Sequence, residues 1–350
     1  MQLSLLPDEH TMYQALVHKD SSFEGVFFAA IKTTGIFCRP TCTARKPKVE
    51  NVEYFGTTKE ALNNGYRPCK VCEPMSQKGE TPIWLGALLE EVKVDPTKKV
   101  NDYALKQKGL DPARVRRWFK KNHGMTFQAY LRSLRINNAF GQIREGDQVI
   151  KSAYENGFES ISAFVDAFKS STGFTPKESK YNNVISITRI PTPLGPMLAG
   201  ATEDGVCLLE FTDRRMIETQ ISRLKKYLKA ELLPGESAFF ELLTFELNEY
   251  FEGKRKDFTV PLVTPGTEFQ QSVWKVLQGI PYGKTRSYKE QAMAIGNLKA
   301  IRAVATANGD NRIAILIPCH RVIGSDGQMT GYGGGIWRKQ WMIEMERRNK

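Results

Sequence analysis

Four of the six cysteines lie between Cys38 and Cys72, and this clustering constrains the fold more than any other feature of the sequence. They form two close pairs, Cys38-x3-Cys42 and Cys69-x2-Cys72, which are separated by 26 residues. Two such pairs can bring four thiolates to one tetrahedral ion, and Zn²⁺ is the metal that this spacing favours. Iron also accepts thiolates, but the cysteine runs of iron-sulfur proteins have different spacing. The sequence therefore predicts a small domain whose fold is stabilised by a bound zinc ion.

The length and charge of the chain predict several domains and a polyanionic partner. A chain of 350 residues exceeds what one hydrophobic core usually serves, so we expect two or three domains. A formal net charge of +12 and a pI near 9.3 are typical of proteins that bind nucleic acid. The sequence has neither an apolar run of the roughly 20 residues that a membrane span needs nor a secretory signal in residues 1–20. We therefore expect a cytoplasmic protein with reduced cysteines and no membrane partner.

Cys319 is a candidate nucleophile. It follows the apolar residues 313–316, which predict a strand, and it lies in the string Ile-Pro-Cys-His-Arg-Val at residues 317–322. A thiol that a proline holds at a strand end, beside an imidazole and an arginine, has the neighbours that convert it into a reactive thiolate. Most free cysteines are instead small buried hydrophobic residues, which is our interpretation of Cys207.

The string at residues 318–322, with Arg302, Asn311 and Tyr332 around it, resembles the active site of the O6-alkylguanine-DNA alkyltransferases. The resemblance implies a suicidal, irreversible transfer of a methyl group from O6-methylguanine, and from O4-methylthymine, to Cys319. It also implies that the target base is flipped out of the duplex. Arg302 would enter the stack in its place, and Arg321 is a further expected DNA contact.

The same resemblance assigns roles in the chemistry at Cys319. His320, bridged through water and oriented by Glu346, would take the thiol proton, and Tyr288 would protonate the departing guanine. Asn311 would brace the turn before the cysteine. For Glu346 a helix-end ion pair with a following arginine is the alternative interpretation. Position 333 is Gly where some relatives have a hydroxyl residue that touches the guanine oxygen, so that contact must come from the backbone or be missing.

Residues 33–45 and 65–72, which surround the four cysteines, are similar to the N-terminal domain of the bacterial Ada proteins. The resemblance implies that Cys38 accepts a methyl group from a methyl phosphotriester in DNA and that Thr34 and Arg45 approach the damaged phosphate. Four thiolates on Zn²⁺ carry a formal charge of about −2, so methylating one should raise the affinity for DNA. A closed, purely structural zinc site is the alternative. Val71 stands where some relatives have a second basic residue.

Residues 81–181 carry the densest basic excess, with 17 Lys plus Arg against 11 Asp plus Glu. Two sections repeat at an offset of 49, Phe119-Lys120 with Phe168-Lys169, and each repeat predicts a helix-turn-helix. The first has a turn at Gly109, and its second helix carries Arg114 and Arg117 on a basic face. A plain helical bundle is the alternative. The pair of motifs resembles an AraC-type DNA-binding domain, which would read two adjacent major grooves without dimerisation.

Together these features predict a multidomain α+β protein. We expect a zinc-bound α/β methylphosphotriester domain at 1–78, an all-α double helix-turn-helix domain at 81–181, and an α+β alkyltransferase domain. The last divides into a strand-rich subdomain at 183–265 and a winged-helix-like catalytic subdomain at 266–350.

The combination resembles the bacterial Ada family over essentially the whole chain. It implies a DNA-repair methyltransferase that Cys38 methylation turns into a transcriptional activator of the adaptive response to alkylation, acting as a monomer on double-stranded DNA with RNA polymerase as a partner. Two rival hypotheses are a non-enzymatic zinc regulator with a lesion-binding C-terminal domain and a metal-sensing repressor. The first does not require Cys319, and the second leaves residues 318–322 unexplained.

Overall fold

The computed structural model describes residues 6–20, 23–75, 81–214 and 216–350 and confirms the multidomain α+β architecture. The predicted boundary between the first two domains lies within residues 76–80, outside the described residues. In the described part of the chain, every helix is too short or too polar to cross a membrane.

The first domain is a small four-stranded sheet with two helices. Along the chain, one helix precedes the first strand and the other lies between the third and fourth strands. Helix α1 (Glu9–His18) begins at the N-cap Asp8, and α2 (Thr58–Asn63) begins at the N-cap Thr57. The strands are β1 (Phe28–Ile31), β2 (Ile36–Cys38), β3 (Val52–Phe55) and β4 (Arg67–Pro68), in the order β3-β1-β2-β4. Strand β2 runs antiparallel to β1 and parallel to β4, so both cysteine pairs lie at the same end of the sheet.

The second domain is all helical and contains the predicted repeat. Its helices are α3 (Ile83–Val94), α4 (Asp102–Gln107), α5 (Pro112–His123), α6 (Phe127–Glu145), α7 (Val149–Glu155) and α8 (Ile161–Thr172). Helices α4 and α5 form the first motif, with Gly109 at φ 71° in the turn and Asp111 as N-cap before Pro112. Helices α7 and α8 form the second, and α6 connects them. The repeated Phe119 and Phe168 are both fully buried, which explains their recurrence.

The strand-rich subdomain contains a four-stranded sheet. Strands β5 (Asn183–Ile190), β6 (Met197–Ala201) and β7 (Val206–Phe211) form an antiparallel meander, and helix α9 (Ile217–Leu228) follows. The additional strand β8 (Ala230–Pro234) pairs in parallel with β5, which gives the order β7-β6-β5-β8, before helix α10 (Ala238–Phe251).

The catalytic subdomain consists of helices around a very short sheet. Helices α11 (Glu268–Gln278), α12 (Tyr288–Ala294), α13 (Ile301–Gly309) and α14 (Ile336–Arg348) surround β9 (Arg286–Ser287) and β10 (Val322–Ile323), which pair in parallel. The predicted strand at residues 313–316 is wrong, because this segment is a chain of tight turns. Ile313 bridges β7 at Leu209, a buried asparagine accepts the Ile313 N–H, and the N–H groups of Leu316 and Ile317 donate to carbonyls within the same turns.

Helix α6 and helix α8 pack directly against the sheet of the strand-rich subdomain. Val184 of β5 and Leu233 of β8 belong to the same apolar cluster as Phe140, Phe164 and Phe168. A hydrogen bond from the Asn137 amide to the Ser186 hydroxyl, 2.9 Å long, crosses the same boundary. The second helix-turn-helix motif and the alkyltransferase sheet therefore share one hydrophobic core.

The half-buried His123 of α5 makes the stability of the helical domain depend on pH. The His123 ring stacks on Phe119 with centroids 5.2 Å apart, and burial, aided by the nearby Arg189 charge, lowers its pKa to about 4. Because the folded pKa lies below the unfolded value of about 6.5, this contribution is complete above pH 6.5 and is lost as the pH falls towards 4. We expect the wild type to lose about 2 kcal/mol between pH 7 and pH 5 through this group.

Urea unfolding of the helical circular dichroism signal at the two pH values measures the loss. In His123→Phe the difference should shrink by about that amount, whereas His18→Gln, which alters an exposed histidine of α1, should leave it unchanged. An equal pH dependence in wild type and His123→Phe would contradict this account.

Candidate active sites and DNA-binding surfaces

The four clustered cysteines converge at the end of the first sheet. Their Sγ atoms all lie within 4.8 Å of one another, and those of Cys42 and Cys69 are 4.0 Å apart. Four ligands at about 2.3 Å from a tetrahedral ion would be about 3.8 Å from each other, so the donor set fits Zn²⁺. A proton shared with Cys72, then burial and the neighbouring thiols, raise the pKa of Cys38. Four anionic sulfurs this close repel one another, so a bound cation is needed to stabilise them.

Arg39 holds the two cysteine pairs together. Its backbone N–H donates to the Sγ of Cys72 at 3.4 Å, and its Nε donates to the Cys72 carbonyl at 2.9 Å. The guanidinium is buried and forms an ion pair with Glu24, 3.2 Å away. Thr34, in the turn before β2, and Arg45, three residues after Cys42, are the expected phosphate contacts, and both are exposed. Sequence reasoning missed Arg39, although it follows Cys38 directly.

Cys319 begins a short 3-10 turn, and Asn311 holds that turn in place. The Asn311 amide donates to the Ile317 carbonyl at 2.8 Å and to the Sγ of Cys319 at 3.2 Å, while its oxygen accepts the Ile313 N–H at 3.0 Å. The residue is 1% exposed. Its predicted bracing role matches these contacts. Within the turn, Ile315 has φ 73°, a strained conformation for a β-branched residue.

The surroundings of Cys319 favour its neutral thiol, so the adjacent imidazole and arginine do not by themselves produce a thiolate. Burial raises its pKa, and the hydrogen bond from Asn311 offsets only part of that increase. Burial also lowers the pKa of His320, so the imidazole next in sequence is uncharged and supplies no positive field. The thiol proton therefore has to be removed during the reaction.

His320, fully buried, is held by Glu346 as predicted. Its Nε2 lies 2.8 Å from Oε1 of Glu346. Burial by itself would raise the pKa of Glu346, but His320 and Arg321 lower it to about 2, so this residue is a carboxylate that can only accept. Nε2 therefore carries the proton. Nδ1, which has no hydrogen-bond partner among the residues that the structure describes, keeps the lone pair of a base.

Arg321 does not lie on the DNA-binding surface, which corrects its predicted role. It is 6% exposed, and its Nε and Nη2 donate to Glu346 at 2.9 and 3.1 Å. Its Nη1 donates to the Ile280 carbonyl at 2.7 Å. The carboxylate of Glu346 attracts this guanidinium inward, so Glu346 pairs with Arg321 rather than with the arginines at 347 and 348.

Two further residues lie at the edge of the Cys319 site. The Tyr288 hydroxyl donates to the carbonyls of Thr330 and Gly331 at 3.3 and 3.4 Å, and burial followed by the nearby Cys319 raises its pKa, so it stays protonated. Lys339, fully buried, donates to the Thr330 carbonyl at 2.7 Å, and burial lowers its pKa to about 8. Sequence reasoning missed Lys339, although it precedes Glu346 by two helical turns and so shares its face.

The arginines predicted to bind DNA, other than Arg321, are exposed. Arg302 lies at the start of α13, where Ala303 and Ala305 are also exposed and allow close approach of a duplex. On α5, Arg117 is exposed, and Arg114 stacks over the ring of Trp84 with 4.3 Å to the centroid. The helical domain and the catalytic subdomain therefore each present a helix with accessible basic side chains.

Four family models match successive parts of the chain. They are the metal binding domain of Ada at residues 11–75, a helix-turn-helix domain at 105–180, and the ribonuclease-like and DNA binding domains of 6-O-methylguanine DNA methyltransferase at 185–264 and 268–348. The bifunctional transcriptional activator/DNA repair enzyme Ada of Escherichia coli K12 is 32% identical over 97% of this chain and 96% of its own length. The chain belongs to the Ada family. Its four-cysteine cluster is accordingly a zinc site.

Shorter relatives of this Ada-family chain match its C-terminal half. The methylated-DNA–protein-cysteine methyltransferase of Methanosarcina barkeri is 44% identical over 46% of this chain and 96% of its own length. A crystal structure of Mycobacterium tuberculosis OGT in complex with DNA is 41% identical over 47% of this chain and 94% of that one, with a TM-score of 0.41.

The amide of Asn311 should control both the reactivity of Cys319 and local stability. We expect Asn311→Ala to raise the pKa of the Cys319 thiol, because a hydrogen bond that favours its anion is lost. The variant should also be about 1–3 kcal/mol less stable, since the backbone groups of Ile313 and Ile317 lose their partner. The pH dependence of Cys319 alkylation by iodoacetamide measures the first effect, and urea unfolding measures the second.

Asn308→Ala is the matched control, because Asn308 is a buried asparagine of the adjacent helix that pairs with Gln291 at 2.7 Å. It should destabilise the fold without moving the thiol titration. Equal alkylation profiles in the two variants would contradict the role of Asn311.

Proposed function

We propose that this chain is a single-turnover methylated-DNA–protein-cysteine methyltransferase with two acceptors and that methylation at Cys38 makes it a transcriptional activator. The observation that carries the proposal is the set of contacts on Cys319: Asn311 on its sulfur and, on the next residue, an imidazole held by the carboxylate of Glu346. The domain bounds that we propose are 1–78, 81–181, 183–265 and 266–350.

At Cys319 the reaction is a displacement at the methyl carbon. Arg302 fills the stack that a flipped O6-methylguanine or O4-methylthymine leaves. Nδ1 of His320 takes the thiol proton through a bridging water, and the charge on Glu346 stabilises the resulting imidazolium. The sulfur then forms a bond to the methyl carbon as the carbon–O6 bond breaks. Tyr288 gives its proton to the departing guanine, and the thioether that remains is permanent.

At the zinc site Cys38 accepts a methyl group from a DNA methylphosphotriester. Bound Zn²⁺ keeps the four sulfurs ionised at neutral pH. Thr34 and Arg45, both exposed, contact the damaged phosphate. Methylation removes one negative charge beside the DNA backbone, so the affinity of this face for DNA rises.

The two helix-turn-helix motifs then direct the methylated protein to a promoter. Arg114 and Arg117 contact the duplex from α5, and the shared core keeps the second motif fixed to the repair domain. RNA polymerase is the partner that activation requires. We propose that the protein acts as a monomer, because one chain already carries two groove-reading motifs. We also propose that it acts in the cytoplasm.

The proposal predicts one methyl group on each acceptor. After incubation with DNA that contains O6-methylguanine and methylphosphotriesters, tryptic peptides with Cys319 and with Cys38 should each gain one methyl mass, and a second addition of DNA should add none. Cys319→Ala should lose only the first mass and Cys38→Ala only the second. The latter should also lose the methylation-dependent increase in promoter affinity.

Cys207→Ala is the control, because Cys207 is a fully buried thiol of β7 that takes no part in either proposed transfer. It should leave both transfers intact. An unmodified Cys319 in folded wild-type protein would reject guanine repair at that residue, and an unchanged promoter affinity after Cys38 methylation would reject the switch.

A further inference from the structure

The buried ion pair of Arg214 and Glu210 lies beside the Cys319 site but belongs to the other subdomain. Glu210 is on β7 and Arg214 follows that strand by three residues. Both side chains are almost fully buried, at 2% and 7% exposure, and they contact each other directly. Both charges act on the Cys319 thiol, that of Arg214 favouring its anion and that of Glu210 opposing it. The chemistry proposed above does not use either residue.

Arg214 holds the backbone of the segment that positions the thiol. Its Nη1 donates to the Asn311 carbonyl at 3.1 Å, and its Nη2 donates to the carbonyl of Gly309 at the end of α13. Asn311 in turn holds the Sγ of Cys319. One guanidinium therefore connects the strand-rich subdomain to the thiol in two hydrogen-bonded steps and also to the helix that carries Arg302.

The absence of a side chain at position 333 is what makes room for Arg214. A Cβ atom built on Gly333 would lie 2.7 Å from Cζ and 2.9 Å from both Nε and Nη2 of Arg214. Any other residue at 333 would therefore displace the guanidinium. The Nε of Arg214 has no hydrogen-bond partner within the described part of the chain, although it is buried. A buried N–H donor without a partner loses its hydrogen bonds to water, which costs stability. Its position beside the Cys319 site therefore suggests a role in that site.

We propose that Arg214 is a positioning residue for methyl transfer to Cys319. Its guanidinium occupies the space left by Gly333 and fixes the Asn311 turn against the thiol. The inference rests on the proposed function at Cys319. Arg214 transfers no proton and forms no bond to the methyl group. It acts by keeping the sulfur and the Asn311 amide in register, so its loss slows transfer without weakening DNA binding.

The test compares two variants that remove this arrangement in different ways. The double substitution Glu210→Gln with Arg214→Met removes both charges, so no unpaired buried charge remains to unfold the protein. Gly333→Ala leaves every polar group in place and only displaces the guanidinium. We measure the maximal single-turnover rate of Cys319 methylation, the affinity for DNA that contains O6-methylguanine, and the pH profile of the rate.

Both variants should transfer methyl about 10- to 100-fold more slowly at saturating DNA, since small misplacement of a reacting group has effects of that size. Their affinity for DNA should stay within about twofold of the wild-type value, and the alkaline rise of the rate should move to higher pH, because the Asn311 hydrogen bond that favours the thiolate is weakened in both. Arg214→Lys, which keeps the charge, should restore part of the rate.

Arg223→Met is the matched control. Arg223 also reaches from the strand-rich subdomain to this turn, through an ion pair with Asp310 at 2.5 Å, but it is half exposed. Wild-type rate and pH profile in both test variants would overturn the inference, and so would an equal loss in Arg223→Met. If wild-type protein leaves Cys319 unmethylated while it binds DNA, the proposed function fails instead, so the two failures are distinguishable.

Discussion

The carboxylate of Glu346 is the interaction on which the guanine-repair site depends. It is 1% exposed and accepts hydrogen bonds from His320, Arg321, Tyr250 and the backbone of Gly283. A buried anion is stable only with such compensation, because the loss of water costs several kcal/mol. Helix α14, helix α10 and the cysteine turn are thereby oriented around one charge. The same charge sets the tautomer of His320 and so leaves Nδ1 as the nitrogen that can accept a proton.

The two acceptor cysteines reach reactivity by opposite electrostatic routes. Cys38 lies among three other sulfurs, whose mutual repulsion a cation has to neutralise, so its thiolate exists only together with the metal. Burial raises the pKa of the Cys319 thiol and keeps it protonated until a base acts. The first design keeps an anion in place for as long as the metal is bound. The second keeps the nucleophile inactive in the absence of a flipped base, which protects an acceptor that can be used once.

Local patterns were sufficient to predict much of the fold, the zinc ligands and Cys319 as a candidate nucleophile, whereas Cys38 as an acceptor followed from the family resemblance. The cysteine spacing, the repeat that buries Phe119 and Phe168, and the N-cap at Asp111 all act over short stretches of chain. Side chains whose partners are distant in sequence were not predictable in this way. Arg321 resembles a surface cation in sequence, and only the folded position of Glu346 shows that it is buried.

The apolar residues 313–316 show the same limit. Their composition favours a strand, but the Asn311 side chain accepts the Ile313 N–H and donates to the Ile317 carbonyl, and the segment between these two residues forms tight turns. The pairing of Arg214 with a glycine at 333 spans more than a hundred residues and has no signature in either segment alone. The sequence alone could not predict which buried polar residues from separate segments come into contact, because their positions depend on the packing of whole subdomains.

The apolar cluster that Val184 and Leu233 share with α6 and α8 has a practical consequence for cutting the chain into parts. An alkyltransferase fragment that starts at residue 183 would bring these side chains, and the polar Ser186 beside them, into contact with solvent. Such a fragment would aggregate more readily than the whole molecule unless the exposed face were made hydrophilic. Fragments that keep residues 81–350 together avoid this penalty, so the natural unit for crystallisation or spectroscopy comprises the helical and repair regions as one piece.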